Sequence, residues 1–406
     1  MTALSRLKNA VARAVPRPVA ERVFPWHRAA FRAAGLSQVS DAARRLFIGP
    51  VNSAGQGFAW ARAAERLDGV RALNFMYRGS EDPFAYPADH AVRTAYFVEN
   101  RRWQRAQRRA IARGFTHVLL ESGREILGSG ASAGEDAVWL TQRGLTVGLL
   151  WHGSDIRTPS LHAQTEPDSP FRDGAYPEQA RLEEIAARNH ALITRSGLPS
   201  FVSTPDLLGI VPGAQWLPVV VDAELFAAAA PERPLLRKRP VVVHAPSRAG
   251  LKGTALIAET VARLHDEGLI EYREVQHVPA ASMPAVYGDA DIVLDQFSLG
   301  IYGVAAAEAM AGGRVILSHV AGDVRERVRT HTGRELPILQ TRASELEQRL
   351  REIVRDPAPA QALAATGPEF VRAVHSGAAS ARVLAGFLGI ADGASQPLMA
   401  DSNDAR

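Results

Sequence analysis

Short apolar runs alternate with amphipathic stretches along most of the chain. The apolar runs are rich in Val, Ile and Leu, as buried strands are, whereas the stretches between them space their apolar residues as a helix does. Strands that alternate with helices in this way form parallel sheets with helices on both faces. The pattern therefore predicts an α/β protein.

The alternation occurs twice, which predicts two doubly wound, Rossmann-like domains. In the first half, strands are predicted at RRLFIG (44–49), VRALNF (70–75), FTHVLLES (115–122), LTVGLLWHG (145–153) and HALITRS (190–196). In the second half, they are predicted at VVVHAPS (241–247), EYREVQHV (271–278), DIVLDQF (291–297) and RVILSH (314–319). Parallel sheets bind ligands at the carboxyl ends of their strands, so two facing domains predict one interdomain cleft.

The 406-residue length also favours two domains of ordinary size. The predicted boundaries are a basic helical leader at 1–43, a first domain at 44–226, a linker at 227–240, a second domain at 241–390 and a disordered tail at 391–406. The linker is placed where alanine, proline and charged residues concentrate.

The absence of cysteine excludes disulfides, thiolate nucleophiles and cysteine-ligated zinc. No apolar run reaches the length of a membrane span, and arginines and prolines interrupt the apolar positions of the N-terminus. These features favour a cytoplasmic protein that is either free or bound peripherally at the inner face of the membrane.

Basic residues concentrate near the N-terminus. Residues 1–50 contain nine basic and two acidic side chains, a net charge of +7 against +4 for the whole chain. Such a leader fits an anionic membrane surface, and a solvated arm packed on the domain is the alternative. The second basic run, NRRWQRAQRRAIAR (100–113), favours a solvated helix face or an acceptor-side patch over nucleic acid, because no nucleic-acid-binding motif accompanies it.

The loop HAPSRAGLKGT (244–254) follows the first strand of the second half. Ser247, Arg248, Lys252 and Gly253 lie there, ahead of a helix. Two cations, a hydroxyl and the free amides of a helix N-terminus are suited to a diphosphate, although the glycine spacing is not that of a Walker loop. The alternative is a charged loop that binds no ligand.

The segment GIYGVAAAEAMAGG (300–313) begins at the carboxyl end of another predicted strand. The amides of Gly303 and Val304 should therefore face the same cleft. Glu308 follows one turn later, where its carboxylate can accept two hydrogen bonds from the vicinal diol of a ribose. Together with the basic loop, this glutamate indicates a nucleotide sugar.

Two segments of the first half also follow strands. LLWHGSDIR places His152 and Asp155 on the ligand side. The histidine can orient a sugar hydroxyl or the reacting centre, and Asp155 or Arg157 can hold either His152 or a substrate oxygen. A purely structural histidine is the alternative. The loop around Gly55, Gln56 and Gly57 offers free amides but lacks the third glycine of a dinucleotide fingerprint, which argues against NAD.

Neither a metal nor another cofactor is expected. The DAD sequence at 289–291 imitates a metal-binding aspartate pair, but it precedes a buried strand instead of following one. The sequence contains no serine elbow with partner residues and no pair of histidines at metal-binding spacing.

The segments HAPSRAGLKGT, ADIVLDQF and GIYGVAAAEAMAGGRVI resemble glycosyltransferase family 4, also called glycosyl transferases group 1. The resemblance extends over roughly 45–385 and is most specific at 240–320. It implies a GT-B fold, in which two doubly wound Rossmann-like domains face an interdomain cleft. It also implies metal-independent, retaining transfer from a nucleotide-activated sugar.

The resemblance assigns roles to individual residues. Arg248 and Lys252 match the family's cations that neutralise the leaving diphosphate, and Glu308 matches the glutamate that binds ribose. The base is expected against the backbone near Val278, and His152 is the match for a histidine that contacts the donor sugar.

One position departs from the family pattern. A second glutamate, which touches the sugar hydroxyls, is expected eight residues before Glu308, and Gly300 stands there. Asp295, Gln296 or Tyr302 could supply the missing contact. Altered donor recognition is favoured over lost activity, because the other family residues are retained.

The function expected from the sequence is a hexosyltransferase-like enzyme that moves a sugar from a nucleoside-diphosphate sugar to a lipid-linked, polysaccharide or small-molecule acceptor. One alternative is a nucleotide-binding but catalytically silent partner or regulator of another transferase. Another is a sugar-nucleotide epimerase of the same fold.

Overall fold

The computed structural model describes residues 25–79, 82, 84–128, 130–174 and 176–390. Most of the predicted leader and the whole predicted tail therefore lie outside the described residues. The first helix, α1, is Pro25–Ala34. The described strands are β1 Arg44–Gly49, β2 Val70–Arg78, β3 His90–Arg93, β4 His117–Glu121, β5 Thr146–Trp151, β6 Ser200–Val202, β7 Gln215–Trp216, β8 Val241–His244, β9 Glu271–Glu274, β10 Ile292–Leu294, β11 Val315–Ser318 and β12 Leu339–Gln340.

Helices connect these strands. In the first domain they are α2 Gln56–Ala64, α3 Thr94–Glu99, α4 Arg101–Gly114, α5 Ala133–Thr141, α6 Pro159–Thr165, α7 Gln179–Ser196 and α8 Ala223–Ala229. From the second domain onward they are α9 Ala249–Lys252, α10 Thr254–Asp266, α11 Met283–Gly288, α12 Val304–Ala311, α13 Gly322–Thr332, α14 Leu346–Arg355, α15 Ala358–Ala365, α16 Gly367–Val374 and α17 Ala378–Phe387.

Each domain is built on one parallel sheet. In the described residues, the first sheet has seven strands in the order β3-β2-β1-β4-β5-β6-β7, and the second has five in the order β12-β11-β10-β8-β9. The strand order reverses between β1 and β4 in the first sheet and between β10 and β8 in the second. A crevice for a ligand opens at such a switch point, at the carboxyl ends of the strands.

Central strands form the core because both of their faces are buried. Leu46, Phe47 and Ile48 of β1 are all fully buried, as expected for a strand covered by helices on both faces. Helix α2 contributes the small residues Ala61 and Ala64, which are also fully buried in the core on one face of the sheet. The apolar runs in the sequence reflect this burial on both faces.

The predicted strand at 190–196 is wrong. These residues are the end of helix α7, which buries Ala186, Asn189 and Leu192 on one face at helical spacing. The helix ends at Gly197, which adopts a φ of +61°, and the strand β6 follows it. A short apolar run does not by itself distinguish a strand from the end of an amphipathic helix.

The chain returns to the first domain at its C-terminal end. In helix α17, the Ser380 hydroxyl donates to the Pro218 carbonyl at 2.7 Å, and the Phe387 ring lies 5.5 Å from the Phe201 ring. Arg44 Nε donates to the Leu388 carbonyl at 2.6 Å. The second domain was expected to extend to residue 390, but this last helix packs against the first domain.

Candidate functional site

A cavity of about 270 Å³ lies between the two domains. It lies at the carboxyl ends of β5 and β8 and reaches the N-terminus of α12. The first domain contributes Ser53, Ala54, Gln56, Phe84, Tyr86, His152, Ser203, Thr204 and Val219, and the second contributes Ala245, Pro246, Ser247, Lys252, Val275, His277, Val278, Ala280, Met283, Tyr287, Ile301, Gly303, Val304, Ala305 and Glu308. We refer to it as the interdomain cavity.

Glu308 is a half-buried carboxyl group that opens into the interdomain cavity. It makes no hydrogen bond or ion pair with another described residue. Burial raises its pKa to about 8, and the charge of Lys252 offsets only part of this rise. An unpaired carboxyl group that is costly to ionise marks a candidate ligand site.

Lys252 provides the cation at the cavity wall. Its Nζ donates to Asp295 Oδ1 at 2.5 Å, and the carboxylate of Asp295 is fully buried. An ammonium group has three donors, so two remain for an anionic ligand. Arg248, by contrast, is exposed at the start of α9 and makes no ion pair with a described residue.

The N-terminus of α12 points its backbone at the same cavity. Gly303 is the residue before the helix, and Gly303, Val304 and Ala305 all line the cavity. No side chain caps this helix end. Its free amides and the positive end of the helix dipole therefore face any ligand between Lys252 and Glu308.

Aromatic and apolar side chains form one end of the cavity. Tyr86 of the first domain and Tyr287 of the second both lie within electrostatic range of Glu308, and burial raises the pKa of Tyr86 to about 12. The two domains also meet here through a backbone hydrogen bond of 2.9 Å from Ala280 N to the Phe84 carbonyl. This end is suited to a flat, weakly polar group such as a nucleotide base.

His152 lies on the first-domain side and is held by a buried glutamate. Its Nε2 is 3.0 Å from Glu121 Oε1, and the imidazole stacks on Trp60 with ring centroids 5.7 Å apart. The other oxygen of Glu121 accepts the amides of Val51 and Asn52. Burial lowers the pKa of His152, but the hydrogen bond and charge of Glu121 outweigh this effect, so the net shift is upward.

Asp155 acts on the backbone around His152. Its carboxylate accepts the amides of His152 and Gly153 and the hydroxyl of Ser122. These bonds occupy the carboxylate and leave Nε2 of His152 to Glu121. The structure thus assigns to Glu121 the contact with the histidine ring that the sequence analysis gave to Asp155 or Arg157. Arg157 pairs instead with Asp206 at 2.5 Å.

Solved structures with the same architecture match this chain, although no protein-family model and no curated protein does. Sucrose-phosphate synthase from Thermosynechococcus elongatus matches with a TM-score of 0.54 and 14% identity, over 84% of this chain and 97% of that one. The Anabaena protein HepE, solved with UDP and glucose, matches with a TM-score of 0.55 and 12% identity, over 85% and 99%. A glycosyltransferase from Rickettsia africae matches with a TM-score of 0.53 and 11% identity, over 87% and 100%.

This chain has the GT-B fold. The predicted fold class, with two doubly wound domains facing a cleft, is confirmed. At this level of sequence identity, the comparison establishes the fold, and the chemistry must be argued from the site.

The GT-B cleft continues into a second, larger pocket of about 600 Å³ on the first-domain side. The two pockets share Ser53 and His152. The second one, called here the first-domain pocket, is lined by Val51, Ser53, Tyr77, Ser122, Arg124, Glu125, His152, Ser154, Asp155, Glu178, Arg181, Leu182, Glu184, Ile185, Arg188 and Arg248. His152 therefore lies where the contents of the two pockets would meet.

The structure brings most of the predicted donor residues together in the GT-B cleft. The interdomain cavity is lined by Ser247, Lys252, Val278, Gly303, Val304 and Glu308. Gln296 and Tyr302 are each 1% exposed and do not line it, and the Tyr302 hydroxyl lies 3.2 Å from His375 Nε2. Gly253 precedes α10 with a φ of +73°, and a Cβ there would lie 3.1 Å from Ser298 Oγ. It does not line the cavity.

The first-domain loop is fixed by side-chain contacts. Gln56 clamps the backbone of Val220, accepting its amide at 2.6 Å and donating to its carbonyl at 3.1 Å. A Cβ at Gly57 would lie 2.4 Å from the Asn74 side chain, and one at Gly55 would meet Tyr86. These glycines permit close packing, and Gln56 is the member of the three that lines the cavity.

The DAD aspartates have structural partners. Asp289 pairs with Arg237 and Arg273, and Asp291 accepts the amides of Leu235 and Val241. Both carboxylates thus tie the linker and the strand ends together.

A carboxylate from the first domain lies beneath Gly300. A Cβ at Gly300 would lie 3.1 Å from Glu166 Oε2, and the backbone there has a φ of +66°. Glu166 lies 2.9 Å from His319 Nε2 and 2.9 Å from Arg342 Nη1, both in the second domain. Arg342 also contacts Asp168 at 2.5 Å. We refer to these four side chains as the interdomain clasp.

We expect Glu166→Gln to destabilise the protein by about 2–3 kcal/mol at pH 7. Burial raises the pKa of Glu166, but hydrogen bonds from His319 and Arg342 outweigh it and hold the pKa at about 2. A depressed folded-state pKa stabilises above the ordinary value of 4.5, and the contribution disappears as the pH falls from about 4.5 to 2. Urea unfolding at several pH values would measure it.

Asp168→Asn is the matched control, because it removes a carboxylate from the same arginine. Asp168 is 30% exposed, against 10% for Glu166, so we expect a loss of about 1 kcal/mol or less. Equal losses in the two variants would contradict the role given to Glu166.

Several site residues were missed by the sequence analysis. Glu121 ends a buried strand, and only the pairing of β4 with β1 and β5 brings it to His152. Tyr86 and Phe84 lie on an irregular segment between β2 and β3. Glu166 lies 134 positions from Gly300 in the sequence. The position of Glu121 at the carboxyl end of a predicted strand was the one signal available.

Proposed function

We propose that this protein is a glycosyltransferase that uses a nucleoside-diphosphate sugar. The observation that carries the proposal is Glu308, an unpaired carboxyl group in the interdomain cavity, close to both Lys252 and the open end of α12. A diol acceptor beside a cation and free backbone amides matches the ribose and diphosphate of such a donor.

In this proposal the donor lies along the cavity. Glu308 accepts the ribose hydroxyls, while Lys252, Ser247 and the amides of α12 bind the diphosphate. Arg248 lines the adjoining first-domain pocket and reaches the diphosphate from that side. The base lies against Val278 at the aromatic end, and the sugar points towards His152, where the interdomain cavity meets the first-domain pocket. HepE was solved with UDP and glucose, so uridine nucleotides are the first to test here.

The proposed transfer depends on stabilising the negative charge of the leaving diphosphate. When the bond between the anomeric carbon and the phosphate oxygen breaks, negative charge develops on the diphosphate, and preorganised cations and amides stabilise it. The acceptor hydroxyl forms the new bond and gives its proton to the departing phosphate. The cations supplied by the chain support metal-independent transfer, and the family 4 resemblance supports retention of configuration and a hexosyl donor.

The acceptor belongs in the first-domain pocket. Its wall carries arginine and glutamate side chains around Tyr77, a mixture that hydrogen-bonds polyhydroxylated groups. We therefore propose a carbohydrate acceptor, either as part of a polysaccharide, linked to a lipid or free. A cytoplasmic location, free or at the inner membrane face, fits a nucleotide-sugar donor.

Thermal stabilisation by nucleoside diphosphates tests the donor site. A ligand at about a hundred times its dissociation constant should add roughly 2.7 kcal/mol of stability. We expect one base to raise the melting temperature, and Arg248→Ala to reduce this shift because a charge-assisted contact with the diphosphate is lost. Arg355→Ala is the control, since Arg355 is exposed and remote from the cleft.

The outcomes separate the competing functions. If no nucleoside diphosphate stabilises the protein, the proposed donor site is rejected. Incubation with the matching nucleotide sugar then distinguishes the activities. Release of nucleoside diphosphate supports a transferase, an altered sugar still attached to its nucleotide supports an epimerase, and an unchanged donor under all acceptor conditions supports a silent nucleotide-binding protein.

A further inference from the structure

Helix α4 carries a row of exposed arginines. Among its 14 residues are six arginines and no acidic residue. Arg101, Arg105, Arg109 and Arg113 are exposed and lie four residues apart, so each is next to the following one along a ridge of about 18 Å. None of the four makes a hydrogen bond or ion pair through its side chain with another described residue.

In helices of the second domain, arginines form ion pairs with nearby glutamates. Arg329 pairs with Glu326, Arg349 with Glu352, and Arg351 with Glu347. Like charges four residues apart destabilise a helix, whereas these opposite-charge pairs support one. The row on α4 therefore destabilises this helix, and solubility alone does not require such a row.

The buried face of α4 holds the row in place. Trp103 Nε1 donates to the Gly35 carbonyl at 2.7 Å, and the Ser37 backbone amide donates to the Gln107 side chain at 3.0 Å. Trp103, Gln107 and Ile111 are all fully buried. The four arginines thus extend from a rigid support, and their spacing persists without a ligand.

The same contacts bring the basic N-terminal segment to this face. Residues 1–24 contain five basic side chains and one acidic side chain, and they lead directly into α1. Helix α1 packs on α4, with Arg102 over the Phe31 ring at 4.9 Å. The segment therefore joins the described structure beside the arginine row and adds charge of the same sign.

We infer that the arginine row of α4 is a docking surface for an anionic lipid bilayer. Charge complementarity carries the inference, because a continuous row of unpaired cations next to a basic segment matches a surface of negative headgroups. Trp139, an aromatic residue of the kind favoured at bilayer interfaces, lies beside the helix, with Arg108 over its ring at 3.9 Å. No helix within the described ranges is long and apolar enough to cross a bilayer.

The start of α4 lies close to the first-domain pocket. Phe97, just before α4, stacks on Tyr77 with ring centroids 4.3 Å apart, and Tyr77 lines the first-domain pocket. The N-terminal end of the arginine row therefore lies near the wall of that pocket. The docking surface itself does not depend on the proposed glycosyltransferase activity.

Vesicle binding tests the inference with the full-length protein. We expect sedimentation with phosphatidylcholine vesicles that contain phosphatidylglycerol, and none with phosphatidylcholine alone. Each arginine near an anionic surface should raise binding by about fivefold, so the variant Arg101→Gln/Arg105→Gln/Arg109→Gln/Arg113→Gln should bind at least a hundredfold less, roughly. Binding of the wild type should also weaken as the salt concentration rises.

A matched control removes the same charge elsewhere. Arg233, Lys238, Arg355 and Arg382 are exposed and form no ion pair with a described residue. Replacing these four by glutamine should leave vesicle binding within about twofold of the wild type, because they lie away from α4. Thermal melting should show that both variants are folded, and nucleotide binding should be the same in both.

Three results would overturn the inference. The first is a failure of the wild-type protein to sediment with anionic vesicles. The second is an equal loss of binding in both variants, which would show that net charge alone is responsible. The third is binding to duplex DNA or RNA that is tighter than binding to vesicles at the same salt concentration. None of these results bears on the nucleotide site, which is measured without lipid.

Discussion

Replacing Glu308 by glutamine is expected to stabilise the ligand-free protein at pH 8 and to weaken its binding of the donor. Burial raises the pKa of this carboxyl group from 4.5 to about 8. The folded protein therefore keeps a proton that the unfolded chain releases between those two values. Its stability falls as the pH rises through this window, and glutamine, which does not ionise, removes the loss. We expect a gain of about 2–4 kcal/mol at pH 8.

Donor binding should change in the opposite direction. A ribose diol donates to an ionised carboxylate more strongly than to an amide, and a hydrogen bond to a charged group contributes about 1.5–3 kcal/mol. Glu308→Gln should therefore bind the nucleotide sugar about tenfold to a hundredfold more weakly. Calorimetry from pH 6 to pH 8 should show wild-type affinity rising with pH, while the affinity of the variant stays constant.

Glu259→Gln is the control for this experiment. Glu259 is an exposed glutamate of α10 that makes no ion pair with a described residue. We expect both its stability and its donor binding to match the wild type. If Glu308→Gln bound the donor as tightly as the wild type, Glu308 would not contact the ribose, and the orientation proposed for the donor would have to be abandoned.

Replacing His152 by alanine is expected to lower kcat for sugar transfer by about a hundredfold. The imidazole lies where the interdomain cavity and the first-domain pocket meet, and its side chain is 10% exposed. Its Nε2 is committed to Glu121, which leaves Nδ1 for a substrate. Affinity for the nucleoside diphosphate itself should be unchanged, because the diphosphate lies towards Lys252 and α12.

Glu121→Gln probes the same histidine without removing it. The carboxylate of Glu121 raises the pKa of His152 against the effect of burial, so the amide variant should move protonation of His152 to lower pH. The pH profile of kcat and the NMR titration of the imidazole would both report this shift. A normal kcat in His152→Ala would place the histidine outside the reaction, and an unshifted titration in Glu121→Gln would contradict the pairing.

Much of the second-domain site was predictable from the sequence. Lys252, Gly303 and Glu308 each follow a predicted strand closely, and the carboxyl ends of parallel strands share one edge of a sheet. The position of each residue relative to a predicted strand was therefore enough to place all three around one cleft. Asp295 was considered as a ligand, and the structure shows it instead as the buried partner of Lys252.

The site residues of the first domain were less predictable, because their arrangement depends on contacts between segments that are distant in the sequence. His152 was found from its position after a strand, but its partner Glu121 lies 31 residues earlier, on the neighbouring strand β4. The segment 190–196 was wrongly predicted as a strand. A short apolar run does not show whether its residues belong to a strand or to the buried face of a helix. The return of α17 to the first domain had no signal in the sequence pattern.

The sequence by itself determined the alternation of strands and helices, the presence of two domains and the order of the polar loops at the strand ends. These properties follow from the periodicity of apolar residues and from local backbone preferences, which neighbouring residues share. The tertiary structure alone decided which loops face each other, which carboxylates are paired and which are left open to a ligand. Glu166 beneath Gly300 and the open carboxyl group of Glu308 both depend on contacts across the domain boundary, because pairing and burial are properties of the packed chain.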